Sequence, residues 1–128
     1  MRFAVTFVAL LLALSVASQA LAKDGVVARL DNPAALRARA GATIHVTWTL
    51  RTGTQAFGAS FVYVRLHGRA GKTTSAYAVE SAPGKYRARL RVPAGGALSV
   101  VIGLRGWSSG PSGTTRADEL FPITNDPL

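Results

Sequence analysis

Residues 43–51, TIHVTWTLR, alternate apolar and polar side chains without a break. A strand turns successive side chains to opposite faces. Ile44, Val46, Trp48 and Leu50 therefore share one face, while His45, Thr47, Thr49 and Arg51 share the other. β-Branched and aromatic residues suit such a pleated, half-buried position. The stretch predicts a strand with a core side and a solvent side, and the same period of two recurs along most of the chain.

Downstream, Ser60–Leu66 (SFVYVRL) repeats the pattern, with Val62, Val64 and Leu66 on the core face and Arg65 outward. Gly68–Lys72 reads as a turn. Thr73–Val92 reads as a hairpin closed by Ser81-Ala82-Pro83-Gly84. That register sets Glu80 against Lys85 as an ion pair, Val79 against Tyr86 and Tyr77 against Ala88 on the inner side, and Ala78 and Ala76 against Arg87 and Arg89 outside. A three-residue connection, Ala94-Gly95-Gly96, then pairs Val92 with Leu98, Leu90 with Val100 and Ala88 with Ile102, making Leu98–Leu104 an inner strand. Residues 106–115 (GWSSGPSGTT) read as a flexible loop, and Ala117–Ile123 as a last strand stopped by Pro122. Upstream, Val26–Leu30 and Leu36–Ala40 flank an Asp31-Asn32-Pro33 turn. About seven short strands at hairpin spacing predict an all-β, immunoglobulin-like antiparallel β-sandwich.

The first 22 residues read differently. Arg2 precedes an apolar run from Phe3 to Val16, and Ala20-Leu21-Ala22 supplies the small-x-small pattern of a signal-peptidase site. A signal peptide over 1–22, cleaved before Lys23, is expected. Retention as a membrane anchor is the alternative, although a bilayer core asks for ~20 apolar residues. The remaining stretch, 23–128, is then a single domain in the periplasm, the cell envelope or outside the cell. The full chain carries 15 basic and 6 acidic side chains, a formal charge of +9. With no cysteine, an exported domain of this size relies on packing and strand pairing alone.

The run Gly84-Lys85-Tyr86-Arg87-Ala88-Arg89-Leu90-Arg91-Val92-Pro93-Ala94-Gly95-Gly96 resembles the hairpin of exported immunoglobulin-like domains. With the Trp48 strand, residues 41–104 look most like the YtkA-like and FixH-like families of bacterial envelope proteins. The resemblance implies an immunoglobulin-like sandwich in which Tyr86 plays the tyrosine-corner role, its hydroxyl bonding upstream backbone. It also implies, as an alternative function, an accessory role in envelope cation or copper handling.

The motifs for chemistry are sparse. Gly106-Trp107-Ser108-Ser109-Gly110 matches G-x-S-x-G, but a nucleophile elbow needs a strand-to-helix turn and a later histidine, and His45 and His67 both precede Ser108. Those two histidines give only a partial donor set for zinc or copper, so neither metal nor cofactor is expected. The acids Asp24, Asp31, Glu80, Asp118, Glu119 and Asp126 are scattered, with no pattern that forces a catalytic pair to converge. A non-enzymatic chain is expected.

Arg87, Arg89 and Arg91 project from one strand face at a spacing of ~6.7 Å. In water, repulsion at that distance costs roughly 0.6 kcal/mol per neighbouring pair, so the stripe persists with or without a ligand. As a binding feature it suits anionic lipid, cell-wall polymer or acidic glycan, or another envelope protein. Arg37 and Arg39 repeat the outward pattern. Arg105 and Trp107, opening the polar loop, are further candidate contacts. Nucleic acid is not expected, because no aromatic residues interleave with the arginines as a stacking platform requires.

Overall fold

The computed structural model describes residues 25–128. The expected leader and its cleavage site fall outside the described residues. The strands run β1 (Val26–Leu30), β2 (Thr43–Thr52), β3 (Gln55–Ala56), β4 (Val62–Gly68), β5 (Thr73–Tyr77), β6 (Val79–Ala82), β7 (Lys85–Arg91), β8 (Ala97–Leu104), β9 (Trp107–Gly110), β10 (Gly113–Arg116) and β11 (Glu119–Phe121). The fold is all-β with antiparallel sheets. One sheet has the order β1-β2-β7-β6, with β3 on the end of β2, and the other has the order β11-β8-β4-β5. The β9–β10 hairpin stands apart from both.

The inner faces of both sheets feed one hydrophobic cluster. Ile44, Val46, Trp48 and Leu50 of β2 are buried in it, as the alternation requires, together with Val62, Val64 and Leu66 of β4. Tyr86 lies against Trp48, ring centroids 6.0 Å apart and planes 13° from parallel. Its hydroxyl donates to the Phe57 carbonyl at 2.8 Å and accepts from the Ala59 N–H at 3.0 Å. These partners lie 29 and 27 residues upstream rather than a few residues back as in a tyrosine corner, and the two bonds anchor the segment between β3 and β4.

One edge is stitched by the C-terminal tail. The Ala28 N–H reaches the Pro122 carbonyl at 2.8 Å, and the Thr124 N–H reaches the Ala28 carbonyl at 2.9 Å. Asn125 then pairs with both backbone groups of Leu30 at 2.8 Å through its side-chain amide. Satisfied in this way, the β1 edge offers few free backbone groups.

Four expectations need correction. The 73–92 segment is three strands on two sheets: its first arm divides into β5 and β6, and only β6 forms a hairpin with β7. Tyr77 on β5 pairs with Tyr63, whereas Val79 on β6 pairs with Arg87. Between them, the Ala78 N–H bonds the Val62 carbonyl. The change of partner turns Tyr77 and Val79, both expected inside, out to solvent. The β6–β7 turn is only Pro83-Gly84, with Ala82 opposite Lys85 and an irregularity after Glu80. Gly84 sits at φ +73°, a conformation glycine adopts without a Cβ penalty. The Glu80 carboxylate accepts the Gly84 N–H at 2.9 Å, in place of the expected pairing with Lys85.

β7 and β8 likewise form no hairpin, since β7 pairs with β2 and β6, and β8 pairs with β4 and β11. Val92 is tied to the β2 side by its N–H to the Ala42 carbonyl and its carbonyl to the Gly41 N–H. The next residues therefore cross between sheets. Leu98, expected to pair with Val92 inside, is instead the extra residue at the β4–β8 irregularity and is 54% exposed. Ala97, Val100 and Ile102 take the inward positions.

Leu36–Ala40 is not a strand. Pro33–Arg37 forms a 3-10 turn that buries Leu36, consistent with the preset φ of Pro33. Asn32 holds this turn to β2, accepting the Thr47 N–H at 2.9 Å and donating to the His45 carbonyl at 2.7 Å. Finally, residues 107–116, expected as loop, form the β9–β10 hairpin around Pro111-Ser112. Its glycines Gly110 and Gly113 flank the turn, and the expected seven strands become eleven among the described residues, several of them short.

Candidate functional site

The outer face of the first sheet collects cations from three strands. On β7, Lys85, Arg87, Arg89 and Arg91 alternate with buried Tyr86, Ala88 and Leu90. Across the ladder, Arg87 faces Thr47, Arg89 faces His45 and Arg91 faces Thr43. On the opposite side, Arg87 meets Val79 rather than the expected alanine. Arg51 of β2 and Arg29 of β1 occupy outward positions of the same face. Six cations thus share one face. Asp31 stands at its β1 rim, with its carboxylate engaged by the Thr49 hydroxyl at 3.2 and 3.3 Å. Among the described residues, the ion pair within 4 Å is Arg116–Asp118, which lies elsewhere. Arg37 and Arg39 sit in and after the 3-10 turn, not on this ladder.

Arg105 and Trp107 belong to a different neighbourhood. Arg105 continues β8 at the outer face of the second sheet, its N–H bonded to the Phe61 carbonyl at 3.1 Å. Its guanidinium lies 4.4 Å from the Phe61 ring centroid, 5.7 Å from Tyr77 and 5.8 Å from Trp107. One of its nitrogens donates to the Tyr77 hydroxyl at 3.2 Å. Cation–π attraction to three rings fixes a guanidinium that would otherwise be free to rotate. The rings are themselves open to solvent: Phe61 is 54% exposed, Tyr77 49% and Trp107 59%. Phe61 holds φ at +61°, a left-handed conformation costly for an aromatic residue.

The two neighbourhoods meet at the point where the chain changes sheet. A cleft of about 640 Å³ is lined by His45, Tyr77, Val79, Ser81, Arg87 and Arg89. A second, of about 690 Å³, is lined by Phe61 and Tyr77 with Ser60, Ala78, Val79 and Glu80. Tyr77 and Val79 line both.

Beside the Arg105 cluster lies a polar brace. The Tyr63 hydroxyl donates to Asp118 Oδ2 at 2.7 Å, Arg116 Nε donates to Asp118 Oδ1 at 2.8 Å, and the Gly106 N–H reaches the same Oδ1 at 3.3 Å. The Arg116 guanidinium and then the Tyr63 hydroxyl hold the Asp118 carboxyl well below the usual carboxylate range. Burial, with the bond to Asp118 second, pushes the Tyr63 phenol up to about 12. The brace closes the base of the β9–β10 hairpin and so fixes where Trp107 stands.

His45 lies on the outer face of the first sheet and His67 on that of the second. Among the described residues no three metal-donor side chains gather. Ser108 lies on β9, its hydroxyl 3.2 Å from that of Thr115. Phe61 and Tyr77 were missed by sequence reasoning, because strict alternation assigns Tyr77 to the core and leaves Phe61 as a strand start. The available signal was the aromatic density of Phe61-Val62-Tyr63 opposite Tyr77. No family model, curated protein or solved structure matches the chain.

Proposed function

We propose that the chain is an exported, immunoglobulin-like β-sandwich that acts as a non-enzymatic binding module for an anionic polymer of the cell envelope. Export rests on the leader-type sequence of residues 1–22. The sandwich reading is supported by two antiparallel sheets sharing one apolar cluster. The observation that carries the function is the face on which Arg29, Arg51, Lys85, Arg87, Arg89 and Arg91 gather, with the Asp31 carboxylate at its rim.

Strand geometry keeps these side chains apart from the core, so their charge costs the interior nothing and remains available to a partner. A cation close to an anionic surface contributes ~1 kcal/mol, screened within a Debye length. The Arg87/Arg89/Arg91→Ala triple variant is therefore expected to lose on the order of 100-fold in affinity for immobilised polyanion at low salt. The difference should shrink as salt rises. Equal retention of the triple variant and the wild type would remove the stripe from the function.

A further inference from the structure

Resting on that reading, we infer that the polymer is a linear carboxylate-bearing polysaccharide, which rounds the β5–β6 edge from Arg87 and Arg89 to a ring-stacking subsite built by Arg105, Phe61, Tyr77 and Trp107.

Continuity of the surface sets the path. Arg87 is the cross-strand partner of Val79, Val79 follows Tyr77 by two residues, and Tyr77 bonds Arg105. The clefts on the two sides of this edge share Tyr77 and Val79, with the arginines lining one and Phe61 lining the other. A flexible chain can follow such a bent course, whereas a flat surface cannot enter both clefts.

Chemistry selects the class of chain. Polyphosphate would satisfy the arginine face but has no apolar surface to set against three open rings. A pyranose presents flat faces of C–H groups that cover aromatic rings, and a carboxylate on the same ring meets a guanidinium fork with two parallel hydrogen bonds. Arg105 is suited to this task. One N–H serves Tyr77, and no other acceptor engages its guanidinium among the described residues. Its orientation is set in advance by the surrounding rings, which reduces the ordering needed on binding.

Phe61 supplies an independent sign of function. Backbone strain of this kind clusters at ligand clamps and other functional sites. Here that conformation places the ring 4.4 Å from the Arg105 guanidinium.

The test uses the full chain without its leader and three probes: polyuronate, long-chain polyphosphate and phosphatidylglycerol vesicles. Trp107→Ala, Phe61→Gly and Arg105→Lys are each expected to weaken polyuronate binding at least fivefold while leaving polyphosphate binding within twofold. Phe61→Gly accommodates the backbone conformation and removes the ring, so loss of binding with an unchanged unfolding temperature separates recognition from folding. Unchanged polyuronate binding in all three overturns the subsite and leaves the arginine face standing. Equal losses on both polymers overturn the carboxylate-polysaccharide assignment, and losses confined to vesicles assign the rings to a membrane instead. Failure of the wild type to bind any probe removes the polyanion reading itself.

Discussion

Removing a single oxygen from Tyr86 isolates what holds the segment between β3 and β4. In Tyr86→Phe, the Phe57 carbonyl loses its donor at 2.8 Å and the Ala59 N–H loses its acceptor at 3.0 Å. The ring stays on Trp48, 6.0 Å away, so the apolar contribution is retained. Each hydrogen bond contributes a net ~0.5–1.5 kcal/mol, giving a destabilisation of about 2 kcal/mol for the two. A domain of this size shifts its unfolding midpoint by roughly 4–8 °C per kcal/mol, so a fall of about 10 °C is expected. Thermal melts followed by circular dichroism measure it directly. Urea titrations should show a lower midpoint with an unchanged slope, since the surface exposed on unfolding is the same. Because the freed segment leads into Phe61, polyuronate binding should weaken as well. A midpoint within 2 °C of wild type would refute the reasoning, meaning that water replaces the hydroxyl without loss and that Tyr86 does not anchor this segment.

Gly103 lies beneath Tyr63, and a Cβ there would stand 2.5 Å from both the ring Cζ and the hydroxyl oxygen. Gly103→Ala is therefore expected to displace Tyr63, break its bond to Asp118 and cost ~1–3 kcal/mol in denaturant titrations. Gly84→Ala adds a Cβ at 2.9 Å from the Leu50 carbonyl oxygen and the Ala56 Cβ, at a φ of +73°. A loss of ~2 kcal/mol or more is expected, and a wild-type melting curve would show that the turn relaxes freely. The alkaline limb of stability should carry the signature of Tyr63. Its phenol titrates near 12 in the fold and near 10 when unfolded, so its contribution is complete below pH 10 and is lost as pH climbs toward 12. Tyr63→Phe should flatten that limb, and superimposable pH profiles would refute the assignment. On the acid side, the lowered Asp118 carboxyl contributes above the usual carboxylate range and loses that contribution as pH falls below it, so Asp118→Asn should reduce the acid sensitivity.

The alternation in β2, β4 and β7 was legible because a period of two marks which face is buried, whatever the partner strand is. Ile44, Val62 and Tyr86 follow it, while Thr49 and Tyr63 are buried at outward positions. Partner choice was not legible. Thr73–Val92 has the pattern of a hairpin on one sheet, and nothing local announces that Ala78 bonds Val62 while the chain passes to the other sheet. The same blindness sent Leu98 inward, because an extra residue at an irregularity shifts parity without changing composition. Leu36 was correctly apolar but wrongly extended, since a 3-10 turn of five residues is too short to display a period. At the site, the outward arginines followed from alternation alone. The ring cluster around Arg105 did not, because it joins residues from three separate segments.

A solvated surface has no need of one sign of charge. Interspersed cations and anions keep a domain soluble and avoid mutual repulsion. This chain has carboxylates available, yet Asp118 is spent bracing the β9–β10 hairpin, Glu80 is spent on the Gly84 turn, and Asp31 is engaged by Thr49. These three acids are thereby engaged in local structure, while the outward positions of β1, β2 and β7 carry only cations, hydroxyls, Val27 and His45. The repulsion among those cations is modest in water and disappears when a polyanion neutralises them. On the proposed function, a bound polyanion relieves that repulsion. The change of sheet at Ala78 brings Tyr77, which bonds Arg105, to the edge of that face, where Tyr77 and Val79 line clefts on both sides.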